Sequence, residues 1–340
     1  MRELAPGCRV LAVIKANAYG HGIVTAAEAL AGADAFAVAR IDEALLLREA
    51  GSRSRIVLLA GVADADELEL AARHQLELLV HQAGQLALLQ AWRGTHRFRV
   101  WLKIDSGMGR LGFRPAEAGQ AYATLAACVS VMQPPHLVTH LAEAEQRGNE
   151  RTRAQIELFK RVTAGLAGER SIANSAGLLA WPDSQADWVR PGIMLYGISP
   201  FADAIGADLG LRPVMTLETR VIAIRDLEAG ERVGYGGEWT APRRARIAIA
   251  AAGYGDGYPR SAANGTPVQV NGMPAEIVGR VSMDMLAVDV SDVLAVSVGD
   301  PVQLWGPAVP VERVAARAGT IGYELTCRVS RRVPFASRGP

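Results

Sequence analysis

Lysine is almost missing from this chain. Of 340 residues only Lys15, Lys103 and Lys160 are lysine, against thirty-three arginines. An arginine side chain stays protonated at any ordinary pH, whereas a lysine amine can lose its proton and react. Amine chemistry is therefore confined to three positions. Cysteine is as scarce. Cys8, Cys128 and Cys327 are odd in number and far apart, which argues against a disulfide framework and fits a reducing cytoplasm. Excess charge is absent too: thirty-six basic and thirty-five acidic residues leave a formal charge of +1. That balance gives no electrostatic footprint for nucleic acid or an acidic membrane surface. No apolar run reaches the ~18 residues of a membrane span. Nor does the stretch from Met1 to Val13 read as a signal peptide. Hydrophobic residues, at 50 % of the chain, are ample for a sizeable core.

From Cys8 to about Gly197, short apolar runs alternate with helical periodicity. The runs are Arg9–Ile14, Ala35–Ala39, Ile56–Leu59, Leu76–Val80, Phe98–Ile104, Leu137–His140, Ser171–Asn174 and Trp188–Tyr196. Between them lie helical stretches at Ile23–Leu30, Asp42–Glu49, Asp64–His74, Ala83–Trp92, Ala116–Ala127 and Arg151–Gly165. Apolar runs of this length separated by helices predict parallel strands with crossover helices. Eight of them predict an α/β chain with a (β/α)8 barrel over residues 1–205. An open doubly wound sheet is the rival, and the absence of G-x-G-x-x-G after the first strand speaks against it. Beyond residue 206 the texture changes to strand-like runs at Leu217–Ile224, Ala245–Ala252, Val268–Val270, Met283–Val290 and Val302–Trp305. Asn264-Gly265, Asn271-Gly272 and Glu228-Ala229-Gly230 punctuate them, and Asn-Gly is a strong hairpin signal. Residues 206–340 are expected to form a mostly β-strand domain, all-β from about Ala207 to Arg332.

Two of the three lysines end apolar runs. Lys160 lies within a helical stretch and reads as a solvated face residue. An amine at the end of a barrel strand lies at the C-terminal face, where barrel active sites are built. Partly desolvated there, Lys15 would have a lowered pKa and the ability to form a Schiff base; a strand-end lysine reaching solvent is the plainer alternative. Strands seven and eight end in Ala173-Asn174-Ser175-Ala176-Gly177 and Val189-Arg190-Pro191-Gly192-Ile193. Small residues with free backbone N–H groups and a hydroxyl suit a phosphate at that position. Strand five ends in Lys103-Ile104-Asp105-Ser106-Gly107-Met108-Gly109-Arg110, a turn that lets the planar fork of Arg110 fold back to bind an oxyanion. His140 ends strand six, as a hydrogen-bonded core residue or stacked on a flat ring. Tyr235 and Tyr254 each stand between glycines in the β domain.

Together these motifs resemble alanine racemases, the fold type III pyridoxal-phosphate enzymes, over nearly the whole chain from Arg9 to Pro334. Gly279-Arg280-Val281-Ser282-Met283-Asp284 adds a further signature of that family. The resemblance implies a homodimeric cytoplasmic isomerase that uses pyridoxal 5'-phosphate to interconvert L- and D-alanine for peptidoglycan, with no metal. Lys15 would carry the cofactor and act as one catalytic base. Tyr235 of the partner subunit would be the other. Tyr19, Ser175, Gly192 and Ile193 would hold the phosphate, with His140 against the pyridine ring, Asn174 nearby and Arg190 facing the ring nitrogen. Arg110 would contact the cofactor phenolate and the substrate carboxylate, the backbone amide of Met283 of the partner subunit would bind the same carboxylate, and Tyr254 would narrow the entrance. Lys103 would be carbamylated.

Two departures from the family pattern stand out. Relatives usually begin with an extra strand and helix, the strand belonging to the β domain, whereas fourteen residues precede Lys15 here; an exposed sheet edge is expected if that strand is missing. In addition, Arg331 takes the place of a tyrosine that some relatives use to restrict the pocket, which loosens strict alanine specificity. The alternatives are a racemase for serine or for a broad set of amino acids, a fold type III decarboxylase, and a non-catalytic pyridoxal-phosphate carrier. Arg190 at the ring nitrogen argues against the decarboxylase, and the β domain with Tyr235 and Met283 argues against the carrier.

Overall fold

The computed structural model describes residues 2–337, so Met1 and residues 338–340, at the ends of the two expected domains, lie outside the described residues. The chain forms two compact units, residues 1–195 and 196–340. In the first, eight parallel strands pair in sequence order and close on themselves. They are β1 (Arg9–Val13), β2 (Ala35–Val38), β3 (Ile56–Leu58), β4 (Glu77–Val80), β5 (Val100–Lys103), β6 (His136–Val138), β7 (Arg170–Ser171) and β8 (Trp188–Val189). Closure comes from β1 against β8, with Val10 opposite Val189. After β1 comes a short helical turn, α1 (Lys15–Tyr19), then α2 (Ile23–Ala29), α3 (Ile41–Glu49), α4 (Ala65–Arg73), α5 (Ala83–Ala91), α6 (Pro115–Ala127), α7 (Glu150–Val162) and α8 (Ser175–Ala180). Strand residues such as Leu11, Phe36, Ile56, Leu58, Leu78 and Trp101 are almost wholly buried, because a closed parallel barrel covers both faces of its sheet.

The N-terminal end of this barrel is closed by compensated charge. Arg55 pairs with Glu77 at 2.6 Å and Arg99 with the same carboxylate at 3.5 Å. Trp101 Nε1 donates to Glu77 at 2.9 Å, and Trp188 Nε1 donates to Glu169 at 2.7 Å. Arg9 pairs with Glu169, and the guanidinium groups of Arg9 and Arg55 lie 4.8 and 4.9 Å from the Trp188 ring. Burial, then Arg99, Arg55 and Arg9, push His136 down to about 4, so it stays neutral within the plug.

Three expectations need correcting. The eighth strand is short: the apolar residues Ile193–Tyr196 form a 3-10 turn rather than its continuation. Phe98 and His140 lie beyond their strands, and Met283 precedes the strand it was assigned to. In the second unit the antiparallel sheet is followed by two helices, α9 (Val311–Ala318) and α10 (Gly322–Arg328), which the all-β reading did not include.

That sheet comprises β9 (Leu217–Leu227), β12 (Ala245–Ala250), β13 (Thr266–Val270), β14 (Met273–Val278), β15 (Leu286–Asp289) and β16 (Pro301–Trp305), and a separate hairpin joins β10 (Arg232–Val233) to β11 (Trp239–Thr240). The long β9 pairs with both β12 and β16, closing six strands into a barrel. The exposed edge anticipated from the short N-terminus is therefore absent from this sheet among the described residues. Of the three turn signals read from the sequence, only Asn271-Gly272 makes a two-residue hairpin, between Val270 and Met273. Both turn residues have positive φ, 50° and 80°, as a type I′ turn requires. Asn264-Gly265 instead precedes β13, where Asn264 Oδ1 accepts from the Gly279 N–H at 2.6 Å.

No helix among the described residues is long and apolar enough to cross a membrane. Gly272→Ala places a Cβ at φ 80° and is expected to cost about 1 kcal/mol; urea unfolding of the two proteins side by side measures it.

Candidate active site

Lys15 follows the buried end of β1, where Ile14 N–H donates to Ala37 O at 3.0 Å. The next four residues break a local rule. Ala16, Asn17, Ala18 and Tyr19 have φ of 53°, 52°, 55° and 52°, a full turn of left-handed backbone. L-residues lose roughly 1–2 kcal/mol each in that region, and strain of this kind clusters at functional sites. The turn carries the Tyr19 side chain into the barrel, 9 % exposed. A Cβ at Gly192 would lie 2.6 Å from the Tyr19 hydroxyl, so a side chain there would push that ring aside.

Ser175, at the start of α8, is buried. Its Oγ accepts from Gly192 N–H at 2.8 Å and Met194 N–H at 3.4 Å. Asn174 caps the same helix, its Oδ1 accepting from Gly177 N–H at 2.9 Å. Ile193 is fully buried beside them. Tyr19, Ser175, Gly192 and Ile193 thus lie together at the ends of β1, β7 and β8.

The rest of the barrel mouth is cationic. Arg190, 5 % exposed, donates through Nη1 to Ser171 Oγ at 2.7 Å and through Nη2 to Thr139 O at 2.5 Å and Ile172 O at 3.2 Å. His140 Nδ1 lies 3.5 Å from Arg190 Nη2. Burial pushes the Arg190 guanidinium down to about 10. Lys103, 9 % exposed, is pushed down to about 7 by burial, then by Arg190, Arg110 and Lys15, with Asp105 alone opposing them. The His140 imidazole is held well below its usual value by its enclosed setting and then by Arg190, Lys103, Arg110 and Lys15. Such crowding of like charge favours an anion at the barrel mouth.

Arg110 stands exposed on the loop after β5, and a residue not singled out from the sequence shapes that loop. The Asp105 carboxylate accepts from Gly107, Met108 and Gly109 N–H at 2.8–3.1 Å. The loop closes on itself where Asp105 N–H donates to Phe113 O and Phe113 N–H to Lys103 O, each at 2.9 Å. The Asp-Ser-Gly-Met-Gly string was the available signal, since an aspartate ahead of glycines commonly caps their N–H groups.

In the second unit, Tyr254 and Met283 are neighbours: Tyr254 N–H donates to Ser282 O at 3.0 Å and Gly255 N–H to Met283 O at 2.8 Å. Tyr235 stands on a 3-10 turn, Tyr235–Gly237, preceded by Gly234, whose backbone adjoins Arg280. All three are open to solvent, Tyr235 at 69 %, Met283 at 52 % and Tyr254 at 40 %, and so available to a molecule outside the chain. Arg331 is exposed on the segment after α10.

Comparison with known proteins is concordant along the chain. Residues 1–200 match the model of the alanine racemase N-terminal domain, and residues 214–337 that of the C-terminal domain. Among curated relatives, the alanine racemase of Nitrosococcus oceani is 51 % identical over 335 residues, 98 % of this chain and 94 % of that protein. That of Shewanella baltica is 50 % identical over 333 residues, 98 % and 93 % of the two chains. Among solved structures, the biosynthetic alanine racemase of Pseudomonas aeruginosa superposes with a TM-score of 0.95 at 46 % identity, covering 98 % of this chain and 93 % of its own. The Acinetobacter baumannii alanine racemase gives 0.91 at 40 % identity, covering 97 % and 93 %.

The depressed Lys103 amine makes a pH prediction. Its value falls from 10.5 to about 7 on folding, so between those limits the unfolded chain holds a proton that the folded chain has released. Stability therefore rises with pH across that window, and the penalty is complete below it. In anion-free buffer, Lys103→Gln should gain stability over the parent chiefly at low pH, an advantage greater at about pH 6 than at about pH 9 in urea unfolding of the cofactor-free protein. An equal advantage at both would contradict the assignment.

Proposed function

Because the chain belongs to the alanine racemase family, we propose that it interconverts L- and D-alanine by proton transfer between Lys15 and Tyr235, with pyridoxal 5'-phosphate as cofactor. The observation that carries this reading is the cluster of Tyr19, Ser175 and Gly192 at the barrel end where Lys15 follows β1, an end crowded with positive charge. When bound, the cofactor withdraws electrons from the α-carbon of the amino acid, which makes its α-proton removable. Every other part of the chemistry falls to the chain. Tyr19, Ser175 and the backbone N–H groups of Gly192 and Ile193 would hold the phosphate, with Asn174 fixing the cap of α8 beneath it. His140, uncharged, would pack against the ring.

Arg190 would face the ring nitrogen. A guanidinium is all donor and no acceptor, so that nitrogen stays without a proton and less of the negative charge drains into the ring. Simple return of the proton to carbon is favoured over transamination. The contacts of Arg190 with Ser171, Thr139 and Ile172 prevent it from turning away. Arg110 and the backbone amide of Met283 of the partner subunit would hold the alanine carboxylate, and Tyr254 would narrow the approach.

Racemisation needs a proton exchanged on each of two opposite faces, hence two bases. The Lys15 amine serves one. The Tyr235 hydroxyl, from a second copy of the chain, serves the other, so each homodimer has two shared sites. Carbamylation of Lys103 fits its lowered proton affinity, because the neutral amine is the form that adds carbon dioxide. The resulting anion would offset its cationic neighbours and steady Arg110. The role in the cell would be cytoplasmic supply of D-alanine for peptidoglycan.

The purified protein should show a cofactor absorbance band and convert L-alanine to D-alanine; Lys15→Ala should abolish both, and a well-folded parent without the band would refute the reading. Tyr235→Phe should keep the band while losing ~10²–10⁴-fold in removal of the α-proton from one enantiomer. Co-expressing Lys15→Ala and Tyr235→Phe chains tests the shared site. A hybrid dimer has one site with both residues intact, so activity should reappear, and none would appear if each chain supplied both bases itself.

A further inference from the structure

Lys15 is followed by backbone that L-residues avoid, and a left-handed turn of four residues lasts only where several contacts hold it. Its far end is held from within. Asn17 Oδ1 accepts from Ile23 N–H at 2.9 Å, Gly22 N–H donates to Asn17 O and Gly20 N–H to Ala16 O, each at 3.0 Å. His21 Nδ1 lies 3.0 Å from the carbonyl oxygens of Ala18 and Tyr19. The near end, directly after Lys15, is held from another element. Glu43, in the first turn of α3, accepts the Ala16 N–H on Oε1 at 2.5 Å. Its Oε2 accepts the N–H groups of Ala39 at 2.7 Å and Arg40 at 3.2 Å.

We propose that Glu43 is a positioning residue for Lys15, its carboxylate fixing the start of the left-handed turn to the end of β2. The chemistry of the group suits this task. An ionised carboxylate has lone pairs for all three donors. A carboxamide has one acceptor oxygen and must set its own NH2 against the remaining N–H groups. Bonds from backbone N–H to a charged acceptor are also stronger than neutral ones. The neighbouring acid provides a contrast: the Asp42 carboxylate is engaged by the Arg40 guanidinium at 3.0 and 2.7 Å. All three of these Glu43 bonds come from backbone N–H groups. Its effect passes through the peptide that follows Lys15, so it governs where the amine stands rather than how alanine is gripped.

This inference rests on the reading of Lys15 as the cofactor-bearing base. The test compares the parent with Glu43→Ala, Glu43→Gln and Asp42→Ala. Cofactor-free protein is titrated with pyridoxal 5'-phosphate for Kd, and kcat and KM for alanine are measured on the loaded enzymes. Both Glu43 variants should weaken cofactor binding roughly tenfold, equivalent to ~1.4 kcal/mol. They should lower kcat by a similar factor and leave KM near the parent value, while Asp42→Ala stays like the parent. Amide exchange at residues 16–20 of the cofactor-free Glu43 variants should be faster. Glu43→Gln, which keeps size and shape, serves if Glu43→Ala does not fold. A folded Glu43 variant with the parent's Kd and kcat would overturn the proposal, even if it melts at a lower temperature, since that pattern means stability alone. A parent chain that fails to bind the cofactor would overturn the reading of Lys15 itself, a separate failure visible before any variant is made.

Discussion

Charge is distributed unequally between the two ends of the eight-stranded barrel, and the site depends on that inequality. At the N-terminal end Arg9, Arg55 and Arg99 each meet a carboxylate, Glu169 or Glu77. At the C-terminal end Lys15, Lys103, Arg110 and Arg190 crowd together, and Asp105 alone opposes them at Lys103. Buried like charges are tolerated only if some groups give up protons or an anion arrives. The first response is visible in Lys103 at about 7 and in the uncharged His140. The second suits pyridoxal 5'-phosphate, the cofactor of the alanine racemase family, which carries a phosphate. One end of the barrel is thus a structural plug and the other is suited to an anion, although the same basic residue types line both.

On the proposed reading the same inequality keeps proton transfer simple: an arginine with three fixed acceptors would relay no proton to the ring nitrogen, and a neutral histidine would add no positive charge beside it. Enclosure of Lys103 and Arg190 matters here because electrostatic effects among them are strong only where water is excluded. Tyr235, Met283 and Tyr254 have the opposite character, each being open to solvent.

Much of this was legible in the sequence because each signal had one cause. Parallel strands buried on both faces must be apolar throughout, so the eight runs stood out. Lysine scarcity drew attention to Lys15 and Lys103, and Asn271-Gly272 announced its hairpin. The failures have causes too. Ile193–Tyr196 is apolar because it is buried, not because it is a strand, and burial alone cannot separate the two. Val311–Ala318 and Gly322–Arg328 are short helices among strands, where the local texture misled. Asp105 and Glu43 went unnoticed because their work is to accept backbone N–H groups, and a side chain's backbone partners are fixed by tertiary structure rather than by spacing.

The left-handed turn was the least legible feature of all. Nothing in Ala16-Asn17-Ala18-Tyr19 asks for positive φ except, mildly, Asn17; alanine prefers the ordinary helix. The sequence around it makes sense once the conformation is given. Glycines at 20 and 22 also take positive φ and let the chain leave the turn. Asn17 reaches forward to Ile23, and Glu43 reaches across from the next unit of the barrel. Local preference is overruled because a relaxed right-handed turn would give up these contacts and draw Tyr19 out of the space that Gly192 leaves for its ring. Strain and anchoring therefore form one device. A lysine side chain has four rotatable bonds and much freedom to lose, and a proton must pass over a distance set by hydrogen-bond geometry. Fixing the peptide beneath the lysine restricts that freedom from the backbone outward, before any cofactor is bound.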